Sequence, residues 1–181
     1  FNSSKLSDRM FLEPAENMGF IESSKKPIIF TSVHDSIIRT SFKMFQDKPV
    51  FGHGPKMFRI LCKDKKYIVG NYPCSTHSHN FYIQLLAETG IIGFLFLFIS
   101  LLYVLYVSLL QLKAIIFRQK RYLTDYQVCL LSGFLITLWP FTPNGNFFNN
   151  WLMIVYSLPI GFYLQSCYGR VSKKIQKSAQ I

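Results

Sequence analysis

The sequence predicts an all-α membrane protein, with three transmembrane helices preceded by a helical segment outside the bilayer. Two observations carry this prediction. Half of the 181 residues are hydrophobic and 17% aromatic while only 16% are charged, a composition too apolar for a disordered chain and unusual for a soluble one. The charges are also segregated, with none between Glu88 and Lys113 and none between Asp125 and Arg170. A soluble single domain can hardly bury two uncharged stretches of that length, which argues against a water-soluble enzyme. The chain opens at Phe1 without the basic, apolar and small-residue layout of a signal peptide, so further sequence is expected upstream.

The first span is read at residues 91–110, where twenty residues free of charge at about 1.5 Å each cover the roughly 30 Å hydrocarbon layer. The uncharged stretch 126–169 is too long for one helix and is broken by Pro140, Pro143 and Asn144-Gly145-Asn146. It reads as two spans, about 126–141 and 150–168, joined by a tight turn at Asn144-Gly145, with a kink expected at Pro159.

Cations set the orientation, because Lys and Arg near span ends stay on the cytoplasmic side. Lys113, Arg118, Lys120 and Arg121 occupy the first link, and Arg170, Lys173, Lys174 and Lys177 the tail. Residues 1–88 then lie outside, which in a Gram-negative bacterium is the periplasm, and residues 89–181 hold the spans, the cytoplasmic link and a basic cytoplasmic tail. Of the 20 Lys and Arg residues, twelve remain in the first 80 positions against seven acids, an excess of +5. The positive-inside rule does not account for it. Two readings are a solvated basic surface drawn to anionic lipid headgroups and a site for an anionic substrate; no nucleic-acid partner is expected.

Cys62 and Cys74 both fall in the outer, oxidising segment, where a disulfide between them would stabilise the loop by about 3 kcal/mol on the chain-entropy model. No CxxC accompanies them, so the spacing is not a zinc pattern and no metal site is expected, with metal binding through Cys74, His77 and His79, which lie close in sequence, as the minor alternative. Cys129 and Cys167 fall inside predicted spans as packing residues.

Within the outer segment, residues 1–30 show no clear period and read as loop with a short helix. A helix is signalled from Ser32, where Ser32-Val33-His34-Asp35 resembles a capping box and Ile38, Phe42 and Phe45 fall on one stripe. Asp35, Arg39 and Lys43 share a neighbouring face at i, i+4 spacing, which by itself implies a surface ion pair worth about 0.2–0.5 kcal/mol. Asp47-Lys48-Pro49 ends the helix. The turn Phe51-Gly52-His53-Gly54-Pro55 follows, with Lys56 and Arg59 next to it. Glycines at positive φ in such a turn either reverse the chain or expose consecutive amides to phosphate oxygens.

His77, His79 and Asn80 stand just ahead of the helix that becomes the first span. Each histidine is either an interfacial residue bonded to backbone or a general base, its unperturbed pKa being about 6.5. Glu88, next to the apolar run, is expected at the interface or paired with a cation, since a charge at full depth costs about 3 kcal/mol.

The run His79-Asn80-Phe81-Tyr82-Ile83-Gln84-Leu85-Leu86-Ala87-Glu88-Thr89-Gly90-Ile91-Ile92-Gly93 resembles the signature of the O-antigen ligase and O-antigen polymerase family: His-Asn, an apolar helix, then Ala-Glu-x-Gly-x-x-Gly. Upstream, Arg39, Phe45, residues 47–55 and Phe58 are similar to the family's Arg-bearing helix and Pro-x-x-Gly-x-Gly turn. The resemblance covers residues 33–110 directly and implies the C-terminal part of a GT-C-like inner-membrane glycosyltransferase: its large periplasmic loop and last helices. It implies transfer of a glycan from undecaprenyl diphosphate to a sugar hydroxyl, on a lipid A core or a lipid-linked repeat, without metal, nucleotide or other cofactor. By the same resemblance Arg39 binds the diphosphate, His79 activates the acceptor hydroxyl, and Gly52 and Gly54 form the turn. His77 and Lys56 beside these positions, with Lys43, Arg59 and Asn80, complete the substrate-binding candidates.

The competing class is a non-enzymatic membrane subunit or transporter component, with His77, His79 and Glu88 forming a proton or ion path. That class expects ionisable residues inside the spans, and none of the three predicted spans contains an acid, a base or a histidine.

Overall fold

The computed structural model describes residues 8–12 and 31–178, with side chains for residues 10–12 and 31–169. Most of the segment that reads as loop with a short helix, residues 1–30, lies outside the described residues; within it Asp8–Leu12 forms one π-helical turn. Among the described residues five α-helices follow: α1 (Ser32–Asp47), α2 (Phe58–Leu61), α3 (Phe81–Ile116), α4 (Asp125–Thr137) and α5 (Asn150–Ser178). No strand occurs among the described residues. The chain divides into two compact units, residues 1–79 with 83–91 and residues 80–82 with 92–181.

In the first unit α1 starts one residue earlier than the capping-box reading requires. Thr31 is its N-cap, and its hydroxyl lies 2.8 Å from His34 Nδ1 without bonding a backbone amide, so the expected box is not formed. The buried face also differs from the apolar stripe. Ile37 and Met44 are buried with Ser36, Thr40 and Ser41, while Phe42 is exposed. Small polar residues face inward because the neighbouring backbone comes very close. Thr40 Oγ1 accepts the Val69 amide at 3.2 Å, and a Cβ on Gly70 would stand 2.3 Å from Ser36 Oγ. A large side chain at 36 or 40 would push that segment off.

Around Ile37 and Met44 the core closes with Phe58, Cys62, Tyr67 and Ala87. Cys62 and Cys74 are joined by a disulfide. At the end of α1, Asp47 accepts hydrogen bonds from Lys66 and from the Tyr67 hydroxyl. These donors, Lys66 first, hold its carboxyl below the usual carboxylate range.

The turn 49–54 is bonded to the chain around Glu88. His53 N–H donates to Ala87 O (3.2 Å), Gly54 N–H to Glu88 O (2.8 Å), and Ile91 N–H to Pro49 O (2.8 Å). This approach is possible only for glycine on both sides. Gly52 has φ 66° and its Cβ would lie 2.4 Å from Glu88 C; Gly90, also at φ 66°, would put a Cβ 2.3 Å from Val50 O. The non-helical Gly90 (φ 66°, ψ −160°) also kinks α3 within its length.

In the second unit, where the sequence predicts three spans, α3 alone is long and apolar enough to cross a membrane among the described residues. It presents Phe96, Ile99, Tyr106 and Leu109 outward, the first 71% exposed, which a soluble core helix would not do. These features mark α3 as a candidate membrane span. α4 has 13 residues, about 20 Å of helix and short of the roughly 30 Å layer. α5 is long but less apolar, and it passes through Pro159 and on to Ser178, so residues expected as a free tail continue the helix. Residues 179–181 lie outside the described residues. The tight turn expected at Asn144-Gly145 is instead the twelve-residue connection 138–149.

α4 begins with a reciprocal box, the Thr124 hydroxyl accepting the Gln127 amide and the Gln127 side chain accepting the Thr124 amide. It packs on α5 around Val104, Leu123, Leu131 and Tyr163, and the Tyr103 and Tyr163 hydroxyls lie 3.2 Å apart.

Candidate active site

The first unit gathers three histidines. The His77 and His79 rings lie 4.2 Å apart, and the His34 ring meets His79 edge-on at 5.6 Å. Chain geometry explains the placement. His79 takes the left-handed region (φ 55°), uncommon for a residue with a Cβ, and this turns the backbone into α3 while leaving the ring beside α1. Ser75 Oγ lies 3.0 Å from His79 Nε2 and Thr76 Oγ1 2.9 Å from His77 Nδ1. Each ring is thus held by a hydroxyl from the preceding loop. Partial burial first, then the neighbouring His77 and His34, hold the His79 pKa below the ordinary 6.5, so the neutral imidazole dominates at pH 7 and can accept a proton.

Between the two histidines Ser78 is buried, and its hydroxyl has no hydrogen-bond partner among the described residues. His34, Ser75 and Ser78 are not singled out by the sequence. His34 reads there as part of a cap, and only the tertiary approach of α1 brings it to His79. Ser75 stands at i−4 to His79, a spacing that carries no signal in a loop.

Asn80 has a structural post. Its Oδ1 accepts the Tyr82 amide at 3.0 Å, capping α3, and its Nδ2 donates to Pro140 O at 2.6 Å. The Tyr82 hydroxyl donates to Leu138 O in the same segment. Asn80 therefore fixes the start of α3 at a position where the sequence suggests a substrate contact.

Arg39 is 64% exposed and its Nε donates to Asp35 Oδ2 at 2.8 Å, the i, i+4 pair expected from the sequence. It shares α1 with His34, five residues on, which is about 7.5 Å along the axis. Lys43 is exposed one turn further. Lys56 is exposed with φ 63°, and Arg59 Nε donates to Lys56 O at 3.3 Å. The structure thus brings together His34, His77 and His79, and places the cations on α1 and on the segment after the glycine turn.

The glycine turn does not present its amides. Gly52 N–H goes to Lys48 O, His53 N–H to Ala87 O and Gly54 N–H to Glu88 O, so Gly52 serves close packing and Gly54, at φ 105°, the reversal of the chain, and these three amides do not form the phosphate cradle that the sequence allows. Glu88, expected at the interface or beside a cation, is buried, and its carboxylate accepts the Phe58 amide (2.8 Å) and the Gln84 side-chain amide (3.0 Å). Charge-assisted bonds of this kind offset the cost of removing a carboxylate from water, and they tie the segment after the turn to α3. Among the described residues no group of three or more His, Cys, Asp or Glu side chains is arranged to hold a metal ion.

Residues 36–98 match the family model described as O-antigen ligase. No curated protein and no solved structure matches the chain.

Proposed function

We propose, from the match of residues 36–98 to the O-antigen ligase family model, that this chain is part of a membrane glycosyltransferase that moves a glycan from undecaprenyl diphosphate to a sugar hydroxyl. The reaction takes place at the periplasmic face of the bacterial inner membrane, with α4 and α5 completing a GT-C-like bundle and the basic end of α5 cytoplasmic. Ligase and polymerase differ in the acceptor, a lipid A core sugar or another lipid-linked repeat.

The supporting observation is that Arg39, the glycine turn and His79 all fall inside the matched stretch, where the surroundings of His79 favour its neutral form. The acceptor hydroxyl takes the place of the Ser75 hydroxyl at His79 Nε2. Its oxygen attacks the anomeric carbon, the bond from that carbon to the diphosphate oxygen breaks, and the proton passes to the imidazole. Undecaprenyl diphosphate leaves with growing negative charge. The Arg39 Nη groups, free of the Nε contact to Asp35, meet that charge, with Lys43, Lys56 and Arg59 adding to the field. Burial first, and His77 beside it, hold the pKa of the base down.

The glycan profile of a strain lacking the gene tests this reading. Accumulation of unligated polymer on the lipid carrier identifies a ligase, and accumulation of single-repeat product a polymerase. An unchanged profile contradicts the proposal.

A further inference from the structure

The turn that holds Gly52 carries an apolar tip that the reaction does not use. Val50 and Phe51 are 49% and 76% exposed, yet they belong to one of the most tightly bonded segments of the first unit. The Pro49 carbonyl accepts the Ile91 amide, the Val50 carbonyl lies against Gly90, and the two residues after Phe51 donate to Lys48 O and Ala87 O. A large apolar side chain held outward on a fixed backbone needs a reason, since burying it in the adjacent core would be more favourable.

Its position supplies one. Ile91 opens the apolar run 91–110 inside the uncharged stretch between Glu88 and Lys113, so with α3 read as a span Ile91 lies at the edge of the hydrocarbon layer, and Pro49, the residue next to the tip, is bonded to it. Lys48 and Lys56, both exposed, flank it. An aromatic and an aliphatic side chain between lysines is the composition that settles at the headgroup–acyl boundary, with ammonium groups among anionic headgroups. The sequence alone hides this, because Val50 and Phe51 read as part of a reversing turn.

We infer that the Val50–Phe51 tip inserts into the outer leaflet beside the start of α3, anchoring the first unit to the membrane surface independently of the span. The inference rests on reading α3 as crossing the bilayer, and the test separates the two. The full-length protein, with Cys129→Ser and Cys167→Ser and the Cys62–Cys74 disulfide retained, carries a single Phe51→Cys, Ile99→Cys or Lys63→Cys labelled with an environment-sensitive fluorophore. Each is reconstituted in phosphatidylethanolamine–phosphatidylglycerol vesicles containing nitroxide lipids labelled near the glycerol or deep in the acyl chain.

The expected result is that the label at 51 emits to the blue and loses most of its emission to the shallow nitroxide, the label at 99 responds to the deep one, and the label at 63 responds to neither. A quenched label at 99 with a water-like, unquenched label at 51 overturns the anchor alone. Blue emission at 51 that no lipid nitroxide reduces shows that protein covers the tip, a second copy or another segment, and also overturns it. Lack of quenching at both 51 and 99 overturns the span and the anchor together.

Discussion

The surroundings of His79 favour its neutral form, and that gives the proposed chemistry a pH signature. Partial burial and two neighbouring imidazoles hold its pKa below 6.5. The base form therefore survives as pH falls past 6.5, and the acid limb of kcat/KM lies below that value. His77→Gln removes one source of the depression, so the limb moves up towards 6.5 in a pH–rate profile; a limb that stays put contradicts the assignment. Arg39 invites a different substitution. Arg39→Lys keeps the charge and the partner Asp35 but loses the planar fork, so a diphosphate contact predicts a loss of transfer of about 10-fold or more, as expected when one charge-assisted bond of about 1.5–3 kcal/mol is given up. A generic surface cation predicts near-normal transfer. The Asp35–Arg39 pair is legible at i, i+4 spacing, and His79 from its motif. His34 and Ser75 are not, because neither has a periodic or motif relation to His79 until the chain is folded.

At the scale of elements, the glycine turn and the start of α3 form one interlocked unit, which separates the glycines by their surroundings. Gly52→Ala places a Cβ at φ 66° and 2.4 Å from a main-chain carbon; strain of about 1–3 kcal/mol comes on top of a clash with backbone that cannot rotate away. The variant is expected to lose protease resistance or fail to accumulate. Gly133→Ala, inside α4 with no atom within 4 Å, is expected to gain up to about 1 kcal/mol, read as a raised midpoint in thermal unfolding. Equal effects at the two sites would contradict the interlock. Replacing Cys62 and Cys74 by Ser is expected to cost about 3 kcal/mol in the same measurement. The extent of α1 and the apolar run of α3 are readable from turn residues and absent charge. The inward face of α1 is not, because its close approach to Val69 and Gly70 selects Ser36 and Thr40 over the larger Phe42. The role of the glycine turn is half readable: positive φ follows from the sequence pattern, whereas the carbonyls that take the His53 and Gly54 amides belong to α3, far along the chain.

On the scale of the whole chain, the surplus of cations has two origins. Eight lie beyond α3's apolar run, and twelve lie in the first 80 residues with seven acids, where the proposed donor diphosphate and anionic headgroups both give them partners. Charge segregation makes the membrane class legible in the sequence by itself. The number of spans is less so, because absence of charge marks where helices can insert but not where they stop: the connection 138–149 shortens α4 to 13 residues. The function proposed for the protein that contains this chain is glycan transfer with His79 as base. The direct test is His79→Gln in the full-length protein, assayed in membranes with an undecaprenyl-diphosphate-linked donor and acceptor, with protein level and membrane insertion checked by immunoblot and fractionation. The account predicts normal insertion with transfer reduced about 10²- to 10⁴-fold, the range general-base assistance supplies. Transfer near the unmodified rate at equal protein level would contradict it.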